Sequence, residues 1–222
     1  FSYNSSALEV LLGQLVNLII NNEQVRMGKR KKMVTLEELV DEVGADATRY
    51  WMIMRSIDTA LDFDVDLAKS KADDNPVFYV QYAHARSCSI LRNLTKPRLD
   101  TINKKELPPI FTDDEANNIT KTVKDFDILF KNEESYQQTK TLLIKLDSFE
   151  DVILSSVKQR APYMIAKYAQ ELANDFHKFY AAARVITEDK ELSKARVCLV
   201  LATKTILNTS LKLLGVSSPE IM

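Results

Sequence analysis

After Pro76 the chain runs to Leu94 with no glycine and no second proline, a stretch of about five helical turns. Asn75 suits an N-cap, and Pro76 suits the first helical position, where a missing N–H costs nothing. At 3.6 residues per turn, Tyr79, Tyr82 and Arg86 fall on one face, and Val80, Ala83, Ser87 and Leu91 form the neighbouring strip expected to pack. Two flat rings and a planar cation on one face suit unstacked RNA bases and phosphates. The competing reading is that the tyrosines only pack under a loop and Arg86 is a solvated charge. Four glycines and six prolines in 222 residues leave other long stretches equally uninterrupted, which favours long helices over a many-turned β fold.

The hydrophobic share is 45% and the charged share 27%, the balance of a soluble globular chain. A net charge of -1 argues against nucleic-acid binding by bulk charge, but it leaves room for a local RNA site. Cys88 and Cys198 stand alone and read as small buried apolar residues in a reducing compartment. With His84 and His177 the only histidines, no metal site is expected. No stretch reaches the roughly 18 apolar residues of a membrane span. The chain opens on Phe1, which reads as a piece cut from a longer protein, and a cytoplasmic monomer is expected.

The first part carries mixed signals. Alternation over Val10–Ile20 predicts a strand, Asn21-Asn22 a turn, and 24–27 a returning strand. Such a pair is marginal alone and must join helices or further strands. Arg26 to Lys32 is a basic loop around Gly28, able to cradle phosphates or simply to face solvent. Thr35-Leu36-Glu37-Glu38 is a capping box, and the helix it opens stops at Gly44. A second helix is expected over 45–56 with Tyr50, Trp51 and Met54 inward. Residues 57–74 read as a loop-rich connector whose Asp58, Asp62, Asp64 and Asp66 cap helices and pair with cations, since the glycine and glutamate of a calcium loop are missing.

Beyond the Tyr/Arg helix, residues 95–110, with three prolines, predict a loop. Thr112 to Glu115 is a further capping box, followed by Ile119, Val123, Phe126 and Phe130 at the spacing of one helical face. Helices are then expected over 136–146, 148–159 (with Val152, Leu154 and Val157), 163–186 (with Leu172, Phe176, Phe179, Tyr180 and Ala183 inward) and 192–214, closed by Gly215. From about residue 75 the chain thus reads as a bundle of five or six helices.

Several blocks resemble the arginyl-tRNA synthetases, class I aminoacyl-tRNA synthetases, in order along the chain. Tyr79-Val80-Gln81-Tyr82-Ala83-His84-Ala85-Arg86 resembles the signature opening their anticodon-binding domain. Met27-Gly28-Lys29-Arg30 resembles the KMSKS-type loop, with Gly28 replacing the usual serine and Arg26 standing in for the first lysine. Asp46-Ala47-Thr48-Arg49 resembles the Asp-Ala-Leu-Arg block, and Leu61-Asp62-Phe63-Asp64 with Asp66-Leu67-Ala68-Lys69 the connector after it. Phe176-His177-Lys178-Phe179-Tyr180, Arg184-Val185 and the stretch from Leu214 to Met222 resemble late family motifs.

The resemblance implies a mainly α fold, in which residues 73–222 form an anticodon-binding helical bundle. Residues 1–72 would be a small α/β remnant of a Rossmann-type catalytic domain. It implies a ligase joining L-arginine to arginine tRNA through arginyl-adenylate, with ATP and Mg2+ serving the parent enzyme and none bound by this part alone. Met27, Gly28 and Lys29 would meet the ATP phosphates, with Lys29 and Arg30 stabilising developing charge. Tyr79, Tyr82, Arg86, Tyr180, Arg184 and Met222 would meet tRNA. His84 and His177 read as hydrogen-bonded structural residues. The alternatives are a helical protein-interaction module and a stand-alone tRNA-binding cofactor.

Overall fold

The computed structural model describes residues 9–25, 34–100, 104–131 and 133–222. In the first part, β1 (Val16–Ile20) lies between β2 (Glu23–Val25), antiparallel, and β3 (Leu61–Asp64), parallel. Asn21 and Asn22 turn the hairpin with φ of 51° and 61°, the left-handed region that asparagine tolerates best among side-chain-bearing residues. The strand is shorter than its alternation predicts. Ahead of Val16 the backbone pairing thins to single hydrogen bonds, from the Gln14 N–H to the Ile57 carbonyl and from the Leu61 N–H to the Leu15 carbonyl, and Val10, Leu11, Leu12 and Leu15 stay exposed.

The expected connector holds regular structure instead. Leu61 and Phe63 point inward while Asp62 stays exposed, the period-two pattern of a half-buried strand. Asp64 then caps α3 (Val65–Lys69), its carboxylate accepting from the Leu67 N–H at 2.9 Å. The other aspartates neither cap helices nor pair with cations among the described residues: Asp62 accepts from the Asn17 amide, Asp66 from the Asn21 N–H of the hairpin turn, and Asp58 from the Ser56 hydroxyl.

Thr35 and Glu38 cap α1 (Leu36–Val43) reciprocally, and Gly44, at φ 92°, ends it in a conformation that favours glycine. In α2 (Ala45–Ile53), Tyr50 is fully buried and donates to the Ala166 carbonyl at 2.9 Å, so burial drives its phenol pKa far up. Trp51 packs on Phe63 with ring centres 5.4 Å apart. Asn75 precedes α4 (Pro76–Arg92), but its amide does not cap that helix. It donates to the Ala68 and Ser70 carbonyls at 2.9 and 2.7 Å and accepts from the Trp51 indole, tying the connector to α2.

Beyond α4 the expected loop includes a small hairpin, β4 (Arg98–Asp100) and β5 (Lys105–Leu107). The expected helix after Thr112 is interrupted. It divides into α5 (Asp113–Asn117), α6 (Ile119–Thr122) and a 3-10 turn over Asp127–Phe130. Ile119 and Leu129 are buried there, whereas Phe126 and Phe130 are exposed, so the one-face spacing does not hold. Four long helices follow: α7 (Glu133–Asp147), α8 (Phe149–Gln159), α9 (Tyr163–Ala182) and α10 (Lys190–Leu213). On α8, Leu154 and Val157 face outward, while Val152 packs on the core together with Phe149 and Ile153.

The helical core forms where α4 meets α9 and α10. Val80, Ala83 and Ser87 of α4 face Leu172, Phe176 and Phe179 of α9 and Val197, Val200 and Leu207 of α10 as one buried cluster around small residues. Asp189 caps α10 by accepting from the Glu191 and Leu192 N–H groups. Gly215, at φ 68°, closes α10 and sends the tail back across α4.

Candidate nucleic-acid interface

Arg86 is the centre of the site. It sits one turn after Tyr82 on α4, and the crossing of α9 brings His177 and Tyr180 against it. Its guanidinium carbon lies 4.5 Å from the Tyr82 ring centre and 5.1 Å from that of Tyr180, so two aromatic faces hold one cation. One Nη donates to the Tyr82 hydroxyl and the other to His177 Nδ1 at 3.3 Å. Among the described residues Arg86 forms no ion pair with a carboxylate. Its charge is therefore held by rings and remains available to an anion.

A cleft of about 320 Å³ opens beside this cation, lined by Tyr82, Arg86, Arg92, Asn93, Tyr180 and Met222 among others. Tyr180 is also shared with a second cleft, which holds Arg184. The exposed Tyr180 ring thus stands as a ridge between two hollows. Its exposure also corrects its expected place on the inner stripe of α9.

The far wall of the first cleft is the C-terminal tail. His84, buried in α4, donates from Nδ1 to the Pro219 carbonyl at 2.9 Å, and burial lowers its pKa. Gln81 donates to the Ser217 carbonyl at 3.0 Å, and Arg92 to that of Glu220 at 3.0 Å. The Glu220 carboxylate also pairs with Arg92 and Lys204, each at 3.7 Å. From α2, Asp46 accepts from the Ser217 N–H and hydroxyl, and Arg49 donates to the Gly215 carbonyl. The Asp46–Arg49 block therefore holds the tail that carries Met222 into the cleft.

The structure brings together Tyr82, Arg86, Tyr180 and Met222, and places Arg184 next door. Tyr79 lies behind them, edge-on to His177 at 4.9 Å between ring centres, half-buried and lining neither cleft; burial raises its phenol pKa. Met27, Gly28, Lys29 and Arg30 lie outside the described residues. Sequence reading missed Asn93 and Arg92. Asn93 is seven residues beyond Arg86, the spacing of the same helical face, and that periodicity could have found it. Among the described residues no group of three or more His, Cys, Asp or Glu is placed to hold a metal ion, and no helix is long and apolar enough to cross a membrane.

Residues 80–222 match the family model described as the DALR anticodon binding domain. The arginine–tRNA ligase of Desulforamulus reducens is 45% identical over 221 residues, covering 99% of this chain and 36% of that protein. The arginine–tRNA ligase of Staphylococcus epidermidis is 40% identical over 223 residues, covering 100% and 36%. The chain thus spans about a third of the length of these curated relatives. A solved Campylobacter jejuni protein assigned to the arginyl-tRNA synthetases superposes with a TM-score of 0.74 at 26% identity, covering 99% of this chain and 42% of that one. The Thermus thermophilus arginyl-tRNA synthetase shares the fold, with a TM-score of 0.63 at 22% identity over 92% of this chain and 34% of that one. These matches disfavour the reading as a protein-interaction module. The chain belongs to the DALR anticodon binding domain family, in the form found in arginyl-tRNA synthetases.

Proposed function

We propose that this chain binds the anticodon region of arginine tRNA for a parent enzyme that attaches L-arginine to that tRNA with ATP. The observation that carries this reading is the Arg86 cation, held between Tyr82 and Tyr180 without a carboxylate partner and open to a cleft. An unstacked base in that cleft can stack on an aromatic face while Arg86 meets a base edge or a phosphate. Met222 lines the opposite wall, Arg184 offers a second cation beyond the Tyr180 ridge, and Tyr79 supports the face from behind.

The division of labour we propose puts the tRNA-binding bundle at 73–222 and the end of the catalytic domain at 1–72. Their contact, centred on Tyr50, Trp51 and Asn75, is buried enough to fix one against the other. By family resemblance, Lys29 and Arg30 would act on the ATP phosphates together with Met27 and Gly28, and any Mg2+ would arrive with ATP. Titrating labelled arginine tRNA with wild-type chain and with Arg86→Ala tests the RNA reading. The variant is expected to bind at least tenfold more weakly with unchanged helicity, and equal binding by the two proteins would refute the assignment.

A further inference from the structure

His177 is a polar residue in an aromatic setting that packing alone does not require. Its ring lies 4.9 Å from Tyr79 and 5.8 Å from both Tyr82 and Phe176, centre to centre. A phenylalanine would fill that space. Its buried Nε2 has no hydrogen-bond partner among the described residues, which costs stability that an apolar ring would not lose. Among the described residues its side-chain hydrogen bond is at Nδ1, to a cation that can donate but cannot accept, while the nearby Tyr79 backbone pulls the opposite way on the ring's proton.

We propose that His177 is a positioning residue for RNA binding: its Nδ1 lone pair accepts a hydrogen bond from Arg86 and fixes the guanidinium between Tyr82 and Tyr180, facing the cleft. This rests on the RNA-binding reading of that cleft. The chemistry dictates one form of the ring, because a nitrogen accepting from a guanidinium must carry no proton. The ring is therefore neutral with its single proton on Nε2. Burial holds its pKa down to about 4 and the Arg86 charge adds to that, against the opposing Asp73 carboxylate and Tyr79 backbone, so this form persists at neutral pH. With one Nη directed at His177 and the other at the Tyr82 hydroxyl, two of the five guanidinium N–H donors are fixed and the others are left for RNA. Unheld, a long arginine side chain would lose rotamer freedom on every binding event.

The test uses this chain, an arginine tRNA transcript and three changes. His177→Phe keeps the packing ring and removes the lone pair, and is expected to weaken binding about fivefold, the worth of one hydrogen bond. His177→Asn puts an amide oxygen near the Nδ1 position and is expected to recover most of that loss. In an Arg86→Ala background, His177→Phe is expected to add nothing, since its effect passes through Arg86. Additive losses, or a His177→Phe variant that binds like wild type, would overturn the proposal. If Arg86→Ala itself leaves binding unchanged, the RNA reading of the cleft fails instead. Nitrogen NMR of the wild-type imidazole then still decides the positioning contact: a bare Nδ1 beside a protonated Nε2 supports it, and a proton on Nδ1 overturns it.

Discussion

Tyr82 and Arg86 stand one helical turn apart and touch, so a change at either affects both the stacking face and the placement of the charge. Base stacking on an aromatic ring contributes about 1–3 kcal/mol per base. Tyr82→Ala removes both a stacking face and the hydroxyl that accepts from Arg86. The double change Tyr79→Ala, Tyr82→Ala is expected to weaken arginine tRNA binding at least tenfold in a filter or anisotropy titration, with helicity retained by circular dichroism. Tyr82 is expected to supply most of that loss, because Tyr79 lines neither cleft. His177 also makes stability depend on pH. Its folded-state pKa, about 4, lies below the ordinary 6.5, so the unfolded chain takes up a proton first as acid is added. Burial dominates this balance, the Arg86 charge adds to it, and the Asp73 carboxylate and Tyr79 backbone oppose it. The contribution of His177 is complete above about 6.5 and is lost as the pH falls toward 4. His177→Phe is expected to flatten the fall in Tm across that window, which thermal melts at a series of pH values would measure.

Among the elements, α4 was the most legible in sequence, because its helical period alone placed Val80, Ala83 and Ser87 inward and Tyr82 beside Arg86, whereas Tyr79 on the same stripe turns back against His177 and lines neither cleft. Both capping boxes formed for the same local reason. Three things were not legible, and each has a tertiary cause. β3 needs β1 as a parallel partner from more than forty residues away, so four residues of alternation looked like loop. Asn75 has the composition of a cap, but the buried Ala68 carbonyl and the half-buried Ser70 carbonyl claim its amide. Phe126 and Phe130 keep helical spacing on a segment that breaks into short turns, and this spacing then has no face to serve. Within the site, the face on α4 could be read, while the tail that closes the cleft could not, because its contacts come from Asp46 and Arg49 on α2, Gln81 on α4 and Lys204 on α10, far apart in sequence. Asn75→Ala removes the amide that serves the buried Ala68 carbonyl, the half-buried Ser70 carbonyl and the Trp51 indole N–H, and is expected to cost about 2 kcal/mol in urea unfolding. Asp46→Ala should release the tail instead. It is expected to change stability by less than about 1 kcal/mol, given exposed contacts, while weakening tRNA binding severalfold.

At the scale of the whole molecule, a three-stranded sheet with two capped helices is fixed to a helical bundle through Tyr50 and Asn75, and the bundle presents a cation between rings. The chain spans about 36% of its curated relatives. Acting alone, it is expected to give no ATP–pyrophosphate exchange in the presence of arginine, and exchange above background would show that it forms adenylate by itself. With a net charge of -1, the proposed RNA binding has to come from the placement of a few groups rather than from bulk attraction. Titration with arginine tRNA and with the same tRNA carrying a swapped anticodon tests that directly. Tighter binding of the natural anticodon by tenfold or more is predicted, and it should disappear in Arg86→Ala. Equal binding of the two RNAs by the wild-type chain would contradict it.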